Sequence, residues 1–313
     1  MNWNQYSFNS KHFLTKVRNS LLSLNIDINY EFIIKNIILS YPYTIVQLQD
    51  GLEGIALNYQ FMLSNKPISF DEINSLRKYL LSQIPSDPLL ESTLLRKINS
   101  LTLTEIAVIV ATISAISQYY IQNNLLERTD ILISQGKLRL QDIATVGDTI
   151  LIIGWGGFLK EALNEPKIRK IIVSDLNVNN NIHLNKYKKE IESFRTLLKD
   201  RSFILCDGVN LPILAKDSHI VAITGSTLCN GTLLGLLKLL NTKYPPITIL
   251  QGHSANLVSP YLFDEGIDYI VQDNLRNNLI EDFISKEHPV SNFMTSIDEF
   301  FSIQGNRVIF RNV

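Results

Sequence analysis

From Gly147 onward the chain alternates short runs of β-branched residues with helical stretches, and this alternation constrains the fold more than any other feature. Asp148-Thr-Ile-Leu-Ile-Ile-Gly, Lys170-Ile-Ile-Val-Ser-Asp, Ser202-Phe-Ile-Leu-Cys-Asp, His219-Ile-Val-Ala-Ile-Thr-Gly, Ile247-Thr-Ile-Leu-Gln-Gly and Asp268-Tyr-Ile-Val-Gln-Asp read as strands. Phe158 to Leu163, His183 to Lys199 and Thr232 to Leu240 read as helices between them. Strands that are apolar along their whole length are buried on both faces, and helical crossovers make their neighbours parallel. The pattern predicts an α/β doubly wound parallel sheet over residues 146–313.

The residues upstream read differently. Lys11 to Leu24 has Phe13, Leu14, Val17, Leu21 and Leu22 at helical spacing. Tyr43-Thr-Ile-Val-Gln-Leu-Gln runs into Asp50-Gly51, and an extended pattern resumes at Gly54-Ile-Ala-Leu-Asn-Tyr, which predicts a β-hairpin. Asp71 to Gln83 reads as a helix, and Thr102/Thr104-Glu105 opens a further, buried one over Ile106 to Tyr120. Residues 1–125 are therefore expected to form a smaller α+β domain, with 126–145 as linker.

Composition narrows the function classes. With 29 basic and 30 acidic side chains, no uncompensated field exists to hold nucleic acid or an anionic membrane. The first residues lack the basic start and apolar stretch of a signal peptide, and no run is expected to approach the ~18 apolar residues that span a bilayer. Cys206 and Cys229 are too few for a disulfide framework. A soluble, cytoplasmic protein acting on a small molecule is expected, with homo-oligomerisation left open.

The candidate ligand-binding residues lie where the strands end. Gly154-Trp155-Gly156-Gly157 follows the first strand and leads into a helix, where glycines let backbone N–H groups approach a ligand. The third glycine of G-x-G-x-x-G is missing, because Leu159 stands there. Asp175, at the end of the second strand, is placed to accept hydrogen bonds from a ribose diol. Asp207, followed by Gly208, ends the third strand, and its context resembles the adenine-side acidic position of class I S-adenosylmethionine-dependent methyltransferases. The fourth strand ends in a run of small, mostly polar residues containing Thr224, Gly225, Ser226, Thr227, Cys229 and Asn230. In a Rossmann-like sheet that loop faces Gly154 across the ligand crevice. His253, after the fifth strand, is the one histidine expected on this edge, as an acid, a base or, with Cys229, a metal ligand. No CxxC, HExxH or G-x-S-x-G motif is present, so neither a preformed zinc site nor a serine hydrolase is indicated.

Ala222-Ile-Thr-Gly-Ser-Thr-Leu-Cys-Asn-Gly-Thr is similar to the strand-loop of a family described as heavy-metal-chelation proteins, a domain of unknown function. Gly54-Ile-Ala and the Ala-rich helix from Ala107 to Ile116 support the resemblance, which covers nearly the whole chain. It implies an enolase-N-terminal-like domain followed by a Rossmann-like domain, with a ligand cleft between them. Trp155 and the tight glycine loop depart from the family's looser first loop, which favours a nucleotide-like ligand. The leading expectation is a small-molecule enzyme that binds S-adenosylmethionine or a related nucleotide in this cleft and transfers a group on a small or metal-chelating metabolite. A non-catalytic protein binding a metal or metal complex is the alternative, and an NAD(P)-dependent oxidoreductase the second.

Overall fold

The computed structural model describes residues 10–24, 32–39, 42–60, 75, 78, 102–156, 158–176, 178, 181–198, 200–273 and 306–311. Apart from residues 75 and 78, the helix expected at Asp71 to Gln83 lies outside them, as does Gly157.

The upstream region holds α1 (Ser10–Leu22) and an antiparallel meander of β1 (Ile34–Leu39), β2 (Tyr43–Leu48) and β3 (Glu53–Leu57), in that order. β2 and β3 form the expected hairpin, and its turn uses Gly51 at φ +88. β1, which the sequence reading left unassigned, adds a third strand. The meander packs on α2 (Leu103–Gln122), which starts with a capping box: Thr102 accepts from the Glu105 N–H, and the Glu105 carboxylate accepts from the Thr102 N–H at 2.7 Å. Contrary to the expectation that no such run exists, α2 is long and apolar enough to cross a membrane by length and composition. Every residue from Ile106 to Gln118 is buried within the protein.

The large sheet has eight strands. They are β4 (Ile131–Gln135), β5 (Asp148–Ile153), β6 (Ile168–Ser174), β7 (Ser202–Cys206), β8 (Ile220–Thr224), β9 (Ile247–Gln251), β10 (Tyr269–Asp273) and β11 (Asn306–Arg311), in the order β4-β11-β10-β9-β8-β5-β6-β7. β5 to β10 are mutually parallel, whereas β11 runs antiparallel to both β10 and β4. Counted from β5, the parallel strands follow the 3-2-1-4-5-6 order of the dinucleotide-binding fold, and the winding reverses between β5 and β8. The α/β class and the doubly wound sheet thus stand as expected. The helices between the strands are α3 (Leu140–Ile143), α4 (Phe158–Asn164), α5 (Asn181–Leu198), α6 (Leu211–Lys216), α7 (Ser226–Cys229), α8 (Leu233–Leu240) and α9 (Pro260–Asp264).

Both faces of the sheet are buried, which is why its strands read as continuous apolar runs. Leu151 and Ile153 join the core that also holds α1, α2 and the meander, while Ile150 and Ile152 join a second core under α4. The stretch read as a linker, 126–145, supplies edge strand β4 and α3, whose Leu140 is fully buried.

Candidate functional site

In a doubly wound sheet ligands bind where the winding reverses, here at the C-terminal ends of β5 and β8, and the first loop lies at that point. Gly154 turns the chain at φ +95, and a Cβ there would stand 2.6 Å from Thr224 Cγ2 at the end of β8. Only glycine allows both the turn and the approach. Gly156 has φ +143 and is exposed, and a Cβ on it would meet no atom of the described residues within 4 Å.

The loop is braced from β6 and α5. Asp175 Oδ2 accepts from the Trp155 backbone N–H at 2.9 Å, and Asp175 Oδ1 accepts from the Tyr187 hydroxyl at 2.9 Å. The Trp155 indole stacks on the Tyr187 ring, with centroids 4.3 Å apart and planes at 20°, and its Nε1–H donates to Glu190 Oε2 at 2.6 Å. Sequence reasoning placed Trp155 and Asp175 at the ligand. The structure adds a positioning job for Asp175 and lays the Trp155 ring on α5. Asp207 and Gly208 follow β7 on the adjacent strand end, where the Asp175 N–H reaches the Cys206 carbonyl at 3.3 Å.

On the β8 side, the loop is ordered by its own hydroxyls. Thr224 Oγ1 accepts from the Ser226 hydroxyl at 3.2 Å, the Thr227 hydroxyl donates to the Thr224 carbonyl at 2.7 Å, and Asn230 Oδ1 accepts from both the N–H and the hydroxyl of Thr232 at the start of α8. Gly225 is required for space: a Cβ there would lie 2.4 Å from the Ala255 nitrogen in the loop after β9.

Two residues that the sequence reading missed enter this site from the meander and the β9 loop. Tyr59, just past β3, hydrogen-bonds the side chains of Ser226 and Asn230, and burial pushes its hydroxyl up to about 12. The hydroxyl is therefore neutral at physiological pH. Ser254 Oγ accepts from the Leu57 N–H at 2.8 Å. A polar Asn58-Tyr59 pair directly after an apolar strand was the available signal, but the partners of Tyr59 lie about half the chain away.

Of the soft-ligand pair, Cys229 is fully buried in the core beside Ser254, and desolvation pushes its thiol up to about 12, against the thiolate a metal needs. His253 is half-buried, with its ring edge-on to Tyr43 at 5.6 Å. Among the described residues, no three His, Cys, Asp or Glu side chains group so as to hold a metal ion.

Comparison with known proteins agrees with this architecture. The model of the family DUF364, described as "Putative heavy-metal chelation", matches residues 191–277, from within α5 to just past β10. A DUF364 protein of unknown function from Pyrococcus horikoshii superposes with a TM-score of 0.58 at 17% identity, covering 94% of this chain and 98% of its own. Another, from Desulfitobacterium hafniense DCB-2, gives 0.55 at 14% identity, covering 96% and 99%. No curated protein matches the chain. The chain is thus similar to the DUF364 family over residues 191–277 and shares its fold with these two DUF364 structures along nearly its whole length.

Proposed function

We propose that the loops at the ends of β5 and β8 bind S-adenosylmethionine or a related nucleoside-bearing molecule, and that the protein is an enzyme moving a group on a small metabolite held beside it. The observation that carries this reading is the close approach of Gly154 to Thr224 at the winding reversal, with the exposed backbone of Gly156 and the strand-end carboxylate of Asp175 beside it. Asp175 stands at a strand end of the kind where a carboxylate, with about four lone-pair sites, accepts from a ribose diol. Asp207 is the second acidic group on this edge. On the β8 side, the neutral hydroxyls of Tyr59 and Ser226 and the Asn230 amide are suited to orienting an uncharged reacting partner. Alignment of two bound reactants can itself supply most of a barrier reduction.

A second reading, sequestration of a metal or metal complex, draws on the description of the family. The high thiol pKa of Cys229 weighs against its taking part. Thermal shift against S-adenosylmethionine, S-adenosylhomocysteine, NAD, NADP, ATP and divalent metals separates these readings. A ligand at 100 times its dissociation constant should stabilise the protein by about 2.7 kcal/mol. Gly156→Val should abolish nucleoside binding, because a branched side chain would stand between this exposed backbone and the ligand. Stabilisation by metals alone, or nucleoside binding that survives Gly156→Val, would remove the proposal.

A further inference from the structure

The large sheet ends at β7, and among the described residues no strand pairs with its far side. Which backbone groups point that way follows from the ladder. Ser174 pairs with Cys206, and the Cys206 carbonyl accepts from the Asp175 N–H at 3.3 Å, so Cys206 turns its backbone groups towards β6. Backbone direction alternates along a strand, and the β6–β7 register has no shift. Ser202 and Ile204 therefore also face β6, while Phe203 and Leu205 turn their N–H and C=O groups outwards. Natural edge strands are blunted by charge, proline or a bulge. β1, an edge of the meander, has two of these devices, Lys35 and a register shift between Ile34 and Asn36. Ser202-Phe-Ile-Leu-Cys206 has none, and every residue in it keeps some exposure, whereas all of β5 is buried.

We propose that two copies of this chain pair through β7, antiparallel about a two-fold axis at Ile204, which joins their sheets into one. The strand is complementary to itself in that register. Phe203 of each copy meets Leu205 of the other, and these are the residues whose backbone groups face outwards, so both pairs are of the hydrogen-bonded kind. Ile204 meets Ile204 and Ser202 meets Cys206 as the closer, non-hydrogen-bonded kind. Apolar pairs thus lie on both faces of the joint. One step further out, Arg201 stands opposite Asp207, a pairing of opposite charges. Within its own chain the Arg201 guanidinium donates only to the carbonyls of Ala162, Leu163, Glu165, Leu197 and Leu198, so no carboxylate of the described residues matches its charge. Centring the pairing on Phe203 or on Leu205 would instead set Arg201 against Leu205 or Asp207 against Phe203. A two-fold contact uses the same patch twice and closes, so the assembly stops at a dimer.

Analytical ultracentrifugation of the full chain should give twice its 35.6 kDa. Ser202→Cys then tests the register. Non-hydrogen-bonded partners have Cα atoms about 4.5 Å apart, within the range that a disulfide spans. Ser202 is exposed, so the change spares the core. With oxidised glutathione this variant should form a covalent dimer through Cys206 of the other copy, which dithiothreitol cleaves. Within one chain the two positions lie roughly 13 Å apart along the strand, too far to bridge. Ser202→Cys combined with Cys206→Ser should form no covalent dimer. A monomeric native protein, no covalent dimer from Ser202→Cys, or a covalent dimer that survives Cys206→Ser would overturn the proposal.

Discussion

Asp175 accepts from the Trp155 N–H with one oxygen and from the Tyr187 hydroxyl with the other, so the first loop and α5 are tied through a single carboxylate. Hydrogen bonds to a charged group contribute more than neutral ones, about 1.5–3 kcal/mol each when well made. We therefore expect Asp175→Ala to lower stability by about 1–3 kcal/mol in denaturant unfolding, as well as weakening any ribose-bearing ligand. Lost affinity with unchanged unfolding would mean that the two bonds contribute little to the fold. Tyr120 offers a cleaner case of a polar atom within the core. Its ring is fully buried, its hydroxyl has no hydrogen-bond partner, and burial pushes its pKa up to about 12. A phenol titrates near 10 when unfolded. Because its folded value is the higher one, the stability it contributes is whole below pH ~10 and is lost as pH rises towards 12. Melting temperatures should fall across that window, and they should fall less in Tyr120→Phe, which should be no less stable than the native protein at pH 7. An unchanged alkaline slope would show that other groups dominate it.

At the scale of elements, the contact between α2 and β3 is the tightest in the fold. A Cβ on Gly54 would lie 2.0 Å from the Ala111 carbonyl oxygen and 2.3 Å from the Ala115 nitrogen, both of them backbone atoms of α2 that cannot swing aside. The helix lies so close because Ala107, Ala111 and Ala115 recur at one-turn spacing. Gly54→Ala should cost about 3 kcal/mol or more, the upper end for overpacking, and circular dichroism melts would register it. Near-native stability would require α2 to slide without penalty. The sequence made α2, the β2–β3 hairpin and the six parallel strands legible, because each carries its own periodicity and its own stop signals. β1, β4 and β11 were not legible. β4 is mostly exposed, with only Ile131 buried, and so lacks the continuous apolar run that marked the central strands. It is a strand because β11 hydrogen-bonds to it, and that partner is remote in the chain.

The same limit governs the site as a whole. Glycines and strand-end carboxylates could be placed at the ligand edge from topology alone, since every parallel strand ends there. What closes that edge could not: Leu57 reaches Ser254 across 197 positions, and Tyr59 meets Ser226 and Asn230 from a different sheet. The place of β11 carries a consequence for how the chain is made. β4 emerges from the ribosome early, and its one neighbour in the sheet is synthesised after all the other described strands. Until then the nascent protein carries an unpaired β4 and an open flank on β10, both of them templates for strands of other molecules. Insertion of β11 satisfies both at once, so association between unfinished chains should be most favoured just before that insertion.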